Sequence, residues 1–157
     1  MTRVVKQIQV AYPPEQMIEL VSDIEAYPRF ITPFRALSVD SEEKLGNLWK
    51  RRATATVGFK GFSEKFTTDV SIDHSARMIE VGLVKGPFKY LNNQWKFQPS
   101  NHGSDIEFLI NFEFSNPILH AVLRANFDRA VNMVMDVFLK EAAHRYGRRD
   151  LGIGHHT

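Results

Sequence analysis

The chain contains no cysteine, which excludes disulfide bonds, thiolate catalysis and cysteine-ligated zinc. It has no apolar run near the roughly 18 residues that a membrane-spanning helix needs, and no N-terminal stretch resembling a signal peptide. The net charge is only +2, which is too small by itself to indicate a nucleic-acid partner. These absences favour the reducing cytoplasm, with any membrane contact confined to the protein surface.

The residues that are present describe a globular chain rich in aromatic side chains. Hydrophobic residues make up 43% of the 157 positions, and 12 of them are phenylalanines. A chain of this length can bury roughly two-thirds of the surface that it exposes when unfolded, enough for one substantial core. We therefore predict one domain over residues 1–146, followed by a glycine-rich, flexible tail over residues 147–157.

Apolar residues recur with two different periods along the chain. A first strand is predicted over 3–12, followed by a helix that ends near Tyr27, because Pro28 disfavours helical backbone before it. Later stretches alternate apolar and polar residues between turn signals, which predicts about six antiparallel strands. About thirty residues without proline or glycine then follow Pro117 and reach Gly147, so we expect one continuous apolar helix there.

The alternation gives the predicted sheet one apolar face, and only the C-terminal helix is long and apolar enough to cover it. We therefore expect an α+β fold in which the sheet curls around that helix. Ala53, Ala55 and Thr68 are small residues on the inner face and leave room for a cavity, while Met133 and Met135 on the helix are adaptable lining residues. An ordinary core filled by aromatic side chains is the open alternative.

Two charged residues and one apolar segment also stand out. By the strand alternation Arg51 and Glu64 point inward, where either could orient a polar head group or reach solvent from a strand end. The segment FITPF, residues 30–34, follows the first helix with apolar side chains. It forms either an exposed lip for a membrane or partner, or a buried corner.

Signatures of catalysis, metal binding and phosphate binding are missing from the sequence. The six histidines show no HExxH or other metal spacing, no GxSxG occurs, and no glycine-rich loop follows a strand. We therefore expect His144, His155 and His156 to have structural or solvent-exposed roles. The basic residues at 50–52 are split between strand faces and those at 145–149 fit a solvated helix end, so RNA is a minor alternative and no DNA partner is expected.

Four segments carry a recognisable joint pattern: VSDIEAYPRFITPF, VGFKGFSEKFTTDV, GPFKYLNNQWKF and FEFSNPILHAVLRANFD. Together they resemble the coenzyme Q-binding proteins of the START-like, polyketide cyclase-related superfamily, over about residues 1–146. The family motifs DIExYPxF and GPFxxL…WxF fall on Asp23, Ile24, Glu25, Tyr27, Pro28 and Phe30, and on Gly86, Pro87, Phe88, Leu91, Trp95 and Phe97. Arg35 stands where the family often has cysteine, which leaves the polarity of this rim open.

The resemblance implies a helix-grip fold, in which a curved seven-stranded antiparallel sheet surrounds a long C-terminal helix and a hydrophobic tunnel runs between them. It implies binding of ubiquinone or a related isoprenoid lipid by a non-enzymatic carrier or chaperone that supports respiratory electron transport. Ubiquinone would be a ligand and not a catalytic cofactor, and no metal is expected. The consistent location is the bacterial cytoplasm, with peripheral contact at the inner membrane.

We predict that the residues lining this tunnel or its rim are Phe30, Phe34, Trp49, Arg51, Ala55, Phe66, Thr68, Phe88, Leu91, Trp95, Phe112, Phe127, Val131 and Met135. Two other functions stay open. Bacterial proteins with this sequence pattern are also described as inhibitors of ribosomal subunit association, so a ribosome-associated toxin or regulator is one alternative. More distant members of the superfamily are cyclases or hydrolases, and that function needs an acid or base that points into the cavity.

Overall fold

The computed structural model of the protein describes residues 2–59 and 61–148. The predicted tail therefore lies outside the described residues except for its first two positions, and so do His155 and His156. In chain order the elements are β1 (Thr2–Val10), α1 (Pro14–Ser22), a 3₁₀ turn (Ile24–Ala26), α2 (Tyr27–Phe30), β2 (Phe34–Leu45), β3 (Leu48–Phe59), β4 (Phe62–Asp73), β5 (Met78–Lys85), β6 (Phe88–Ser100), β7 (Gly103–Phe114), α3 (Pro117–Arg124) and α4 (Phe127–Tyr146).

All seven strands form one curved antiparallel sheet in the order β1-β7-β6-β5-β4-β3-β2. Although β1 and β2 follow each other among the strands, they lie at opposite edges, so α1 and α2 carry the chain from one edge to the other. Along β3, Ala53 and Ala55 are buried whereas Lys50 and Arg52 are exposed. The predicted helix-grip fold, with one apolar face on the sheet, is confirmed.

Helix α4 covers that apolar face. Its buried residues Val131, Met135, Phe138 and Ala142 recur every three or four positions and therefore form one stripe along the helix. The Phe138 ring lies 5.6 Å from that of Trp95 on β6, measured between ring centroids. The stripe joins α4 to the main core. Among the described residues, no helix has both the length and the apolar character that crossing a bilayer requires.

The C-terminal helix is not continuous, so the prediction of one helix up to Gly147 is wrong. It breaks at Ala125 and Asn126, between α3 and α4. The Asn126 side chain donates from Nδ2 to the carbonyl of Val122 at 3.2 Å, and its backbone N–H bonds Leu123 instead of continuing the α-helical pattern. Asparagine competes in this way with helical backbone hydrogen bonds, so the helix ends without proline or glycine.

The first helix also ends earlier than predicted, at Ser22 and not near Tyr27. The chain then makes the 3₁₀ turn and the short helix α2, in which Pro28 occupies the first turn. Proline is tolerated there because the first-turn N–H groups have no partner within the helix. Pro28 therefore starts a helical turn here and does not end the preceding helix.

Met133 does not face the sheet, contrary to prediction: its side chain is 57% exposed, whereas Met135 is 5% exposed. Residues i and i+2 of an α-helix are about 200° apart around its axis, so Met133 and Met135 cannot lie on the same face. Only Met135 belongs to the apolar stripe.

This difference in burial predicts that replacement by alanine destabilises the protein more at Met135 than at Met133. We expect Met135→Ala to lower the free energy of unfolding by about 2 kcal/mol, toward the low end for buried methionine because a cavity already adjoins this side chain. Met133→Ala is the matched control and should change it by less than about 0.5 kcal/mol. Urea unfolding of both variants measures the difference. Equal losses would contradict the assigned orientation of α4.

Candidate functional site

Two adjacent apolar compartments lie between the inner face of the sheet and the helices. The central compartment, under α4, has a volume of about 320 Å³, and the α3 compartment, which Leu119 and Leu123 cover, has about 280 Å³. Six residues line both: Phe34, Phe66, Val81, Asn93, Ile110 and Phe127. We treat the two compartments together as the cavity. Each is near the lower end of the volumes usual for small-molecule sites.

Small side chains explain why the central compartment exists. Ala53 and Ala55 on β3 pair with Thr68 and Phe66 on β4, and all four line the compartment. Across the gap, Ala130 on α4 is equally short. Side chains of this length do not span the distance between sheet and helix, so an apolar space remains between them. The cavity predicted from these small residues is therefore present.

The GPF segment, residues 86–88, places an aromatic side chain in the lining of the α3 compartment. Gly86 has a φ of +155°, and a Cβ there would lie 2.5 Å from the Cβ of Phe66. Only glycine fits both the backbone angle and the close approach. The following turn brings Phe88 into the compartment, with its ring centroid 5.3 Å from that of Phe66 and 4.5 Å from that of Phe114.

Few polar groups reach the lining, and two of them are already engaged. Asn93 donates from Nδ2 to the Leu109 carbonyl at 2.8 Å and accepts from Trp95 Nε1 at 3.0 Å. The Tyr27 hydroxyl donates to the carbonyl of Val21. Thr68 in the central compartment and Glu64 in the α3 compartment remain as polar side chains toward a ligand. Within the described ranges, no group of three or more potential metal ligands is assembled.

The DIExYPxF motif acts mainly through α4. Asp23 Oδ2 lies 2.9 Å from Arg145 Nη1, which joins the end of α1 to the last turn of α4. Tyr27 packs edge-on against Phe138, with ring centroids 5.5 Å apart. Burial raises the pKa of Tyr27 well above its ordinary value, and nearby Asp23 adds to the shift, so the phenol stays protonated and remains a donor. The motif thus clamps α4 in place.

Most of the predicted lining residues border the cavity. Eleven of them do: Phe34, Ala55, Phe66, Thr68, Phe88, Leu91, Trp95, Phe112, Phe127, Val131 and Met135. The predicted residues Phe30, Trp49 and Arg51 lie outside the lining. Glu64, expected to point inward, is half-buried in the α3 compartment.

The three outlying residues have other contacts. Arg51 pairs with Glu42, with 2.5 Å between Nε and Oε2, and its Nη1 donates to the Ser22 carbonyl. The ring of Trp49 lies 4.4 Å from that of His74 and beneath Lys44, beyond the end of the cavity. Alternation identified their face of β3 correctly but not how far along the strand the cavity extends. Phe30 packs behind the lining, against Tyr27 and Phe138.

The FITPF segment is mainly a buried corner. Ile31 is 2% exposed, and Phe34 lines both compartments. Pro33 is exposed beside them. Arg35, at the position where the family often has cysteine, lies at the surface over Gly58. The apolar side chains of this segment therefore close the cavity instead of forming a broad lip.

Sequence reasoning missed several lining residues, including Val81, Asn93, Val134 and Phe138. Asn93 and Phe138 had a detectable signal, because Asn93 shares its strand face with Leu91 and Trp95, and Phe138 belonged to the predicted helix stripe. Asn93 was overlooked because its amide is polar. Its two hydrogen bonds explain how an amide is accommodated in this lining.

The buried hydroxyl of Tyr27 generates a stability prediction. Tyr27→Phe leaves the Val21 carbonyl without this donor, so we expect the free energy of unfolding to fall by about 1–2 kcal/mol. The matched control is Tyr90→Phe, because in the described part of the chain the buried Tyr90 hydroxyl has no hydrogen-bond partner. That variant should be neutral or slightly stabilising. Urea unfolding at pH 8 measures both.

The same comparison has a defined pH dependence. Because the folded-state pKa of Tyr27 lies above the unfolded value near 10, the unfolded chain ionises first. The stability difference between the parent protein and Tyr27→Phe should be constant below about pH 10 and shrink as the pH rises further. A difference that grows above pH 10 would contradict a protonated, buried phenol.

A family model described as "Polyketide cyclase / dehydrase and lipid transport" matches residues 10–139. The chain belongs to this family. It is 33% identical over 150 residues to the ribosome association toxin RatA of Escherichia coli (strain K12), covering 95% of this chain and 92% of that one. It is also 28% identical over 142 residues to the mitochondrial coenzyme Q-binding protein COQ10 homolog B of Xenopus laevis, covering 87% of this chain and 56% of that one.

Solved structures agree with the fold. The solution structure of an 18 kDa protein from Caulobacter crescentus is 38% identical with a TM-score of 0.80, covering 94% of this chain and 100% of that one. A START superfamily protein from Mycobacterium smegmatis is 19% identical with a TM-score of 0.76, covering 90% and 97%. The family model confirms the predicted polyketide cyclase-related membership, and the START superfamily structure has the same fold.

Proposed function

We propose that the protein binds an isoprenoid quinone, or a related apolar lipid, in the cavity and carries it without chemical turnover. The observation that supports this most strongly is the apolar space kept open by Ala53, Ala55 and Thr68 beneath α4. Coenzyme Q-binding proteins among the relatives of the chain support the ligand class. Carriage in the cytoplasm, with peripheral contact at the inner membrane, and support of respiration belong to the same proposal.

The energetics of a prenyl chain favour such a carrier. Each methylene group removed from water gains about 0.8 kcal/mol, so a tail of a few isoprene units favours an apolar cavity strongly over the aqueous phase. Because both compartments are small, the ring and the first isoprene units would lie inside. The rest of a long tail would leave past α3, where Leu119 and Leu123 form the apolar cover.

The two available polar side chains suggest how the ring is oriented. The Thr68 hydroxyl can donate a hydrogen bond to a quinone carbonyl in the central compartment, where Asn93 and Tyr27 are already engaged. A half-buried carboxylate such as Glu64 meets one positional requirement of the cyclase alternative. Recovery of the bound quinone in chemically unchanged form after prolonged incubation would support carriage, and a product derived from it would support catalysis.

Filling the cavity tests the proposal directly. Ala55→Phe places a phenyl ring in the central compartment, so we expect the amount of bound quinone to fall at least about tenfold. Thr56→Phe is the matched control, because the next residue of β3 points to the opposite face and should leave binding within about twofold. Protein loaded with ubiquinone is gel-filtered, extracted with organic solvent and analysed by mass spectrometry.

Each result of the quinone-retention experiment has a distinct meaning. Thermal unfolding shows whether each variant is folded, and a substitution that fills empty space should not abolish folding. Failure of the folded parent protein to retain quinone after loading would refute the proposal, as would equal retention by the two variants. If the parent protein retains other apolar lipids and Ala55→Phe does not, the cavity is the binding site and the ligand is a lipid other than quinone.

Ribosome association is the second candidate function. It is favoured by relatives named ribosome association toxin that are 30% and 33% identical and match 83% and 95% of this chain. Binding to a ribosomal subunit would use the outer surface and not the cavity. We therefore expect Ala55→Phe to leave any co-sedimentation with large ribosomal subunits unchanged while it abolishes quinone retention. Co-sedimentation that requires a filled quinone site would join the two functions.

A further inference from the structure

A third pocket lies outside the apolar cavity, where α3 and α4 meet the start of β1. We call it the junction pocket. Its volume is about 350 Å³, and its lining residues are Thr2, Arg3, Val4, Arg124, Ala125, Asn126, Phe127, Asp128 and Arg129. Unlike the cavity, it is rich in charged residues, and no step of the proposed quinone carriage uses it.

Three arginines give the junction pocket its positive charge. Arg3, Arg124 and Arg129 are all exposed, and the ion pairs formed within residues 2–59 and 61–148 involve none of their guanidinium groups. Among the described lining residues the one acid is Asp128, which lies 3.6 Å from Lys6 Nζ, and this lysine offsets its charge. Concave surfaces with several free guanidinium groups suit phosphate, whose oxygens accept two N–H bonds from each group.

Apolar surface adjoins the arginines. Ile118 on the outer side of α3 is 72% exposed, although its neighbour Leu119 is only 1% exposed and covers the cavity. Ala121 and Ala125 are exposed along the same stretch, whereas the nearby rings of His120 and Phe127 are half-buried and already pack against Phe112, which disfavours stacking on nucleic-acid bases. An apolar helix face flanked by arginines matches the boundary between the phosphates and acyl chains of an anionic bilayer better than it matches RNA.

We propose that the junction pocket binds the phosphate of an anionic membrane lipid while Ile118 enters the bilayer surface, so that α3 lies against the membrane. Phe127 lines the junction pocket and both compartments, so the phosphate site adjoins the cavity through a single side chain. Docking in this orientation places the cover of the α3 compartment next to the lipid. This site specifies the membrane contact of the proposed function and rests on it in that respect, but it does not depend on quinone binding.

Vesicle binding by the full chain tests the site. The vesicles contain phosphatidylcholine alone, or an equal mixture with phosphatidylglycerol, and no quinone. The parent protein should co-sediment with the mixed vesicles and not with phosphatidylcholine alone. Arg124→Gln/Arg129→Gln should weaken this partitioning at least about tenfold, since each basic residue near an anionic surface contributes on the order of 1 kcal/mol.

A control of equal charge separates the site from general attraction. Lys50→Gln/Lys140→Gln removes the same charge at two exposed positions outside the junction pocket and should change partitioning by no more than about twofold. Ile118→Asn should weaken binding while leaving all arginines in place. Every substituted position is exposed, so the variants should unfold like the parent protein.

Three results would overturn the proposal. The first is equal weakening by the two double variants, or no binding to the mixed vesicles. The second is saturable binding of inorganic phosphate or glycerol 3-phosphate to the pocket by nuclear magnetic resonance without vesicle binding, which would assign the site to a free phosphate. The third is loss of ribosomal co-sedimentation, and not of vesicle binding, in Arg124→Gln/Arg129→Gln. Vesicle docking without quinone retention would refute only the carrier function.

Discussion

The two halves of α4 pack against the sheet in different ways. Near its C-terminal half, Phe138 lies edge-on against the rings of Tyr27, Phe30 and Trp95, and these aromatic groups hold the helix at a fixed distance from the strands. Nearer its N-terminus the helix presents short side chains such as Ala130 toward equally short ones on β3. Three of these aromatic residues also line the central compartment, so they keep it open, because a rigid helix cannot collapse locally onto the small residues.

The two sequence motifs consequently have different tasks. Asp23 and Tyr27 of the first motif hold α4 through an ion pair and a ring contact, with Tyr27 also at the edge of the central compartment. Gly86 and Phe88 of the second motif shape the α3 compartment itself. Residues that identify the family are thus a mixture of those that position the helix and those that a ligand would touch. A motif match alone does not tell these two groups apart.

The sequence was most informative where one local rule determines the answer. Alternation identified the buried faces of β3, β4, β6 and β7, including Ala55 and Phe112, because side-chain direction in a strand depends only on position parity. It did not place Trp49 and Arg51, since the extent of the cavity along β3 depends on where the helix lies. The break at Asn126 was missed because a hydrogen bond between its side chain and the backbone interrupts the helix, and apolar periodicity does not record such a bond.

The different names of the relatives are compatible with one architecture, because the interior and the exterior of the fold are separate surfaces. Leu119 and Ile118 are consecutive residues, yet one covers the cavity and the other faces outward. A ligand in the cavity and a partner on α3 need not contact the same residues, so one binding function can be kept in evolution while the other changes. Coupling between the two sites would require a structural element with two conformations that each ligand binds with different affinity. Phe127 borders both compartments and the junction pocket, so it is the side chain through which such coupling would act.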